Sequence, residues 1–152
     1  MINFLYEDFF EAIEDIIELM NMQGWSPDLI VGLVRGGAIP AVYLSHRLKV
    51  PTAMLHITTR DEQTGFNVEF DQNISKIEEY IKTGKKVLIV DDIIDSGKTM
   101  HILLDKLNYK AYTDTIHVAS LIHNVSQPIT PNYSYMTIDR VIDDRWVIFP
   151  WE

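Results

Sequence analysis

The chain has 152 residues, of which 47% are hydrophobic and 23% charged, proportions that suit one soluble domain with a single core. Its net charge of −9, from 13 basic and 22 acidic residues, argues against sequence-independent nucleic-acid binding, which needs basic patches. The absence of cysteine excludes disulfides, thiol catalysis and thiolate metal sites, and no apolar run approaches the roughly 18 residues of a membrane span. With no basic, signal-like segment at the N-terminus, a cytoplasmic location is expected and a membrane partner is not.

In chain order, an amphipathic helix is predicted from about Tyr6 to Met22. Phe9, Ile13, Ile16, Ile17 and Met20 share one face, and Glu11, Glu14, Asp15 and Glu18 take the other. Leu29–Val31 reads as a buried strand, Ala38–Leu48 as a helix and Thr52–Ile57 as a strand. Residues 58–73 are polar and turn-rich around Gly65, consistent with a long loop or a loose hairpin; such segments are often functional. A short helix over Ile74–Lys82, ended by Gly84, leads into the apolar run Val87–Val90. A helix over Lys98–Leu107 and strands near Thr115–Ile122 and Tyr135–Ile138 complete an α/β pattern with a mostly parallel central sheet flanked by helices.

Two strand ends carry the chemistry. Val87–Val90 runs into Asp91 and Asp92, then Asp95-Ser96-Gly97-Lys98-Thr99, a small turn feeding a helix. Carboxylates at the carboxyl end of a parallel strand can take hydroxyls or a metal, while the backbone N–H groups of the turn can converge on a phosphate. The combination suits a phosphorylated sugar. Gly97-Lys98-Thr99 also ends like a triphosphate P-loop, but that motif needs glycine where Asp92 stands, and a carboxylate there would repel the ligand. At the other strand end, Arg35-Gly36-Gly37 offers a guanidinium fork and two residues that let a ligand approach the backbone closely.

Over these thirteen positions the segment Val87–Thr99 resembles the phosphoribosyl pyrophosphate signature of the type I phosphoribosyltransferases. The resemblance implies that Asp91 and Asp92 hold the ribose hydroxyls and touch a Mg²⁺ ion. Asp95 would stand at the base as proton handler, and Ser96, Gly97, Lys98 and Thr99 would hold the 5′-phosphate. Arg35, Gly36 and Gly37 would form the pyrophosphate loop, where family members often strain a peptide bond, with Arg35 stabilising the leaving group. The 58–73 segment would be a lid, with Arg60 a further pyrophosphate contact. So acidic a chain must hold polyphosphate by local devices, a cation and placed N–H groups.

The tail, Asp144-Arg145-Trp146-Val147-Ile148-Phe149-Pro150-Trp151-Glu152, is similar to the base-binding tail of bacterial xanthine–guanine phosphoribosyltransferases. That likeness implies that Trp146 stacks on a purine and that the Val147 backbone reads its edge, whereas Trp151 either fastens the tail or joins the site. It also implies one domain over 1–152 with a small hood from about residue 123 onward plus the N-terminal segment, and a homodimer or homotetramer. Members specific for purines usually carry a lysine before the tail. Ser120–Val125 has none, leaving His123 or Asn124 to donate to a 6-oxo group. The expected function is transfer of a phosphoribosyl group to a 6-oxopurine. The alternatives are a regulator with the same fold and a transferase for another base.

Overall fold

The structure is a computed structural model that describes residues 1–62 and 65–152, with the side chains of 59–67 left out of the description. Among the described residues, four α-helices and nine strands follow the order β1 (Ile2–Asn3), α1 (Tyr6–Gln23), β2 (Leu29–Leu33), α2 (Ala38–Leu48), β3 (Thr52–Leu55), β4 (Ile57–Glu62), β5 (Gly65–Phe70), α3 (Asn73–Lys82), β6 (Val87–Ile94), α4 (Lys98–Lys106), β7 (Ile116–Asn124), β8 (Tyr133–Ile138) and β9 (Val147–Ile148). The central sheet has five strands in the order β3-β2-β6-β7-β8, and every neighbouring pair is parallel.

Strand alternation sorts the apolar runs onto two faces. Leu29, Val31, Val87 and Ile89 pack with Ile77 and Ile81 of α3 and Leu103 of α4. Ile30, Leu88 and Val90 face the other way, against Ile13 and Ile16 of α1 and Leu44 of α2. Both faces are covered, which is why β2 and β7 are buried at every position and why the apolar residues of β2 run on without alternating with polar ones. α1 starts with the Asp8 carboxylate accepting the Leu5 N–H at 2.8 Å and ends at Gly24 in the left-handed region, φ 63°.

The structure revises several boundaries. The apolar run at Val87 continues as strand through Asp91 and Asp92 to Ile94, because β7 keeps pairing there after the pairing with β2 has ended at Gly32↔Val90. The 58–73 segment is the hairpin of the two readings: β4 and β5 pair antiparallel from Ile57↔Phe70 to Glu62↔Gly65. Two short strands escaped the sequence. β1 lies parallel to β9, with Ile2 opposite Val147 and Asn3 opposite Ile148, so the tail is fastened to the segment before α1.

Candidate active site

β2 and β6 are adjacent, and their following connections leave in opposite directions, β2 toward β3 and β6 toward β7. A crevice opens at the carboxyl ends of such a strand pair, and this is where open α/β sheets bind ligands. Both motif loops emerge there. Gly36 lies so close to β6 that a Cβ on it would stand 2.1 Å from Asp92 Oδ2, and one on Gly37 would stand 2.3 Å from the Val90 carbonyl. Only glycine permits that approach. The Val34–Arg35 peptide is cis.

Around this junction Arg35, Gly36, Ile39, Asp92, Trp151 and Glu152 line a cleft of about 750 Å³. A smaller hollow of about 150 Å³ is lined by Asp91, Asp95, Ser96, Gly97, Lys98 and Thr99 among others, so the signature turn wraps around a concavity. Gly97, at φ 74°, sets the turn that aims the start of α4 into it. The structure thus brings Arg35, Gly36 and Asp92 to one cleft, and Asp91, Asp95 and Ser96–Thr99 to another formed by the same strand end. The side chain of Arg60 lies outside the described residues.

Electrostatically, the acidic pair is under-compensated. Asp92 is only 8% exposed. Burial holds the Asp91 carboxyl well above the usual carboxylate range, and the charge of Asp92 pushes the same way. Burial also raises Asp92, with the Glu152 charge adding to it. The Asp92 N–H donates to Asp91 Oδ1 at 2.9 Å and the Ile93 N–H to Asp92 Oδ1 at 2.7 Å, which fixes both carboxylates but neutralises neither. A hard oxygen pair short of positive charge fits a divalent cation. Among the described residues, no cluster of three or more His, Asp or Glu side chains forms a metal cage by itself. Such a pair suits Mg²⁺, which keeps waters and shares its ligands with substrate phosphates.

Asp95 is held by the chain's own donors. Arg140 Nε donates to its Oδ1 and Oδ2 at 3.1 and 3.2 Å, and Arg140 Nη2 to Oδ2 at 2.9 Å. Asn124, 1% exposed, brackets the loops instead of facing outward. Its amide N–H groups lie 3.3 Å from the Asp95 carbonyl and 3.4 Å from Oδ1, and its Oδ1 accepts from Ser126 N–H and Oγ–H and from Arg140 N–H. His123 is buried, with Nδ1 3.2 Å from Ser134 Oγ, and burial lowers its pKa. Trp146 is 68% exposed, while the Val147 side chain is buried at 4%. Trp151 both fastens and lines: it stacks on Phe149 with centroids 5.2 Å apart, meets Phe9 edge-on, and forms one wall of the larger cleft.

Sequence reasoning missed Arg140 and Glu152 as site residues. Arg140 lies 45 positions from Asp95, one following β8 and the other β6, and the parallel pairing of both strands with β7 brings their ends together. Glu152 was visible only as the last acid of the tail motif.

The family described as phosphoribosyl transferase domain matches residues 5–152. A xanthine-guanine phosphoribosyltransferase of Cereibacter sphaeroides is 31% identical over 141 residues, covering 87% of this chain and 76% of that protein. Among solved structures, a purine phosphoribosyltransferase from Pyrococcus horikoshii aligns with TM-score 0.72 at 26% identity, over 99% of this chain and 93% of that one. A hypothetical protein from Neisseria gonorrhoeae with bound ppGpp aligns with TM-score 0.79 at 26% identity, over 99% and 88%. With its signature strand, glycine loop and tail gathered at one sheet edge, the chain belongs to the phosphoribosyl transferase domain family and is a phosphoribosyltransferase.

Proposed function

We propose that the protein transfers the 5-phosphoribosyl group of phosphoribosyl pyrophosphate to a 6-oxopurine, guanine, xanthine or hypoxanthine, and releases pyrophosphate. The observation that carries this is the contact of Gly36 with the Asp92 carboxylate, which sets a pyrophosphate loop and a ribose-binding strand end into one cleft. Ring nitrogen N9 attacks C1 of the sugar, and the C1–O bond breaks with its electron pair leaving on pyrophosphate. The sugar carbon gains oxocarbenium-like charge on the way.

In this assignment Ser96, Gly97, Lys98 and Thr99 hold the 5′-phosphate, Asp91 and Asp92 orient the ribose hydroxyls, and Arg35, Gly36 and Gly37 receive the leaving pyrophosphate. Asp91 and Asp92 would also hold Mg²⁺ together with substrate oxygens; when bound, the ion supplies charge neutralisation for the departing phosphates. Asp95 holds the N7–H and takes up its proton as N9 bonds to C1. Trp146 presents its exposed face for stacking on the purine. In β9, the backbone groups of residues 146 and 148 turn toward β1, as the 2.7 Å bond from the Ile2 N–H to the Trp146 carbonyl illustrates. Strand alternation turns those of Val147 the other way, toward a base edge. Residues 123–152 with the N-terminal strand form the hood, and the β4–β5 hairpin is the lid that excludes water.

The test is a product assay with Mg²⁺, phosphoribosyl pyrophosphate and each of guanine, xanthine, hypoxanthine, adenine, uracil and orotate. Nucleotide from one or more of the 6-oxopurines is the expected result, and product from adenine or a pyrimidine alone would overturn the base assignment. The Neisseria relative with bound ppGpp favours a second role for the same cleft, binding a guanine nucleotide that carries a pyrophosphate. Competition between ppGpp and phosphoribosyl pyrophosphate in a binding titration is the corresponding check.

A further inference from the structure

Beside Asp95, the signature residue assigned to the base, stands an arginine that the family motifs do not supply. Arg140 is a donor-only group with five N–H bonds. Among the described residues, its Nε–H is shared between the two Asp95 oxygens, one Nη2 N–H goes to Asp95 Oδ2, and one Nη1 N–H goes to the carbonyl of Arg145. One N–H on each terminal nitrogen is left. The Asp95 carboxylate, with about four acceptor positions, receives three donor groups, Nε and Nη2 of Arg140 and the Asn124 amide, the last at 3.4 Å, and so has one position for another donor. The side chains of Arg140 and Asp95 are 18% and 38% exposed, so the pair is sheltered yet reachable. The bond to Arg145 sets the guanidinium beside the residue that precedes Trp146.

We propose that Arg140 determines the base, its guanidinium donating to the 6-oxygen while the adjoining Asp95 carboxylate accepts the ring N7–H. The proposal rests on the phosphoribosyl-transfer function above and names the residue that sets its specificity. A 6-oxopurine protonated at N7 presents an acceptor beside a donor, the complement of a guanidinium beside a carboxylate. A 6-aminopurine presents two donors on that edge, so its amino group meets a guanidinium that has nothing to accept with. An unpaired donor in a sheltered site is expensive, which turns the mismatch into discrimination. The neighbours cannot take this role: Asn124 is occupied with the loops, and His123 is turned to Ser134.

The experiment compares wild type, Arg140→Gln and Arg140→Lys for kcat/KM with hypoxanthine and with adenine at saturating phosphoribosyl pyrophosphate. It adds equilibrium titrations with inosine and adenosine 5′-monophosphates. In Arg140→Gln the hypoxanthine-to-adenine ratio is expected to fall about tenfold to a hundredfold, with the KM for phosphoribosyl pyrophosphate changed less than about threefold. An unchanged ratio, or an equal loss for both bases, overturns the assignment, since a purely structural role would affect both alike. Arg140→Lys keeps a donor-only group without the fork and carries the test if the glutamine variant fails to fold: hypoxanthine is expected to stay preferred over adenine, and loss of that preference would overturn the assignment. Wild type that forms no nucleotide with any base would refute the transfer function instead. The titrations then still decide for Arg140, by whether the wild-type preference for the inosine nucleotide is lost in the variant.

Discussion

Burial and the neighbouring charge of Asp92 hold the Asp91 carboxyl well above its ordinary pKa, and that has a consequence for stability. The folded chain keeps this proton to higher pH than the unfolded chain does, so it binds more protons in the window above the ordinary carboxylate value of 3.8. Stability therefore falls as pH rises through that window, and the penalty is fully present above the folded pKa. Replacing Asp91 by Asn keeps an Oδ1 acceptor for the Asp92 N–H and removes the charge. We expect Asp91→Asn to stabilise the fold at neutral pH by about 1 kcal/mol while turnover drops sharply, an exchange common at active sites. Thermal melts at pH 7.5 check it, and a lower melting temperature in the variant would show that the pair is already compensated. At Asp95 the expectation is kinetic: Asp95→Asn should reduce kcat by about 10²- to 10⁴-fold, with the KM for phosphoribosyl pyrophosphate little changed. Steady-state kinetics separate the two parameters, and near-normal kcat would remove Asp95 from the proton step.

Among the elements, the glycine loop and β6 depend on each other. Gly36→Ala would drive a methyl group onto the Asp92 carboxylate, with 2.1 Å available where contact needs well over 3 Å. Either the loop retreats or Asp92 rotates, at about 1–3 kcal/mol, and in both cases the cleft loses its shape. The KM for phosphoribosyl pyrophosphate should rise at least tenfold while the base KM moves less; equal shifts in both would show that the loop does not serve the sugar phosphate. The signature strand, the glycine loop and the main helices were legible in the sequence because each is a local pattern: a buried run, a period of 3.6, a turn residue. β1 and β9 were not, since two-residue strands have no period to detect and pair the chain's two ends. The hairpin at 57–70 stayed open between loop and strand because β4 is polar after Ile57, and only the short second half, with Phe66, Val68 and Phe70 at alternate positions, carries a strand period. Arg140 was invisible for a different reason: its meaning comes from Asp95, and nothing in the intervening sequence announces the contact.

For the molecule as a whole, the fold solves the problem posed by a net charge of −9. In the proposed assignment phosphate binding is confined to the carboxyl ends of β2 and β6, where Arg35, the start of α4 and turn N–H groups would supply local positive potential. Helices on both faces keep the sheet covered, so ligand chemistry is left to the loops, and among the described residues no helix is long and apolar enough to cross a membrane. The central claim is that this edge transfers the sugar to a base and not to water. The most direct measurement follows pyrophosphate release with phosphoribosyl pyrophosphate and Mg²⁺, with and without hypoxanthine, and quantifies nucleotide in parallel. Release that requires the base and matches nucleotide one for one is the expected result; release without base, or none with any base, would contradict it.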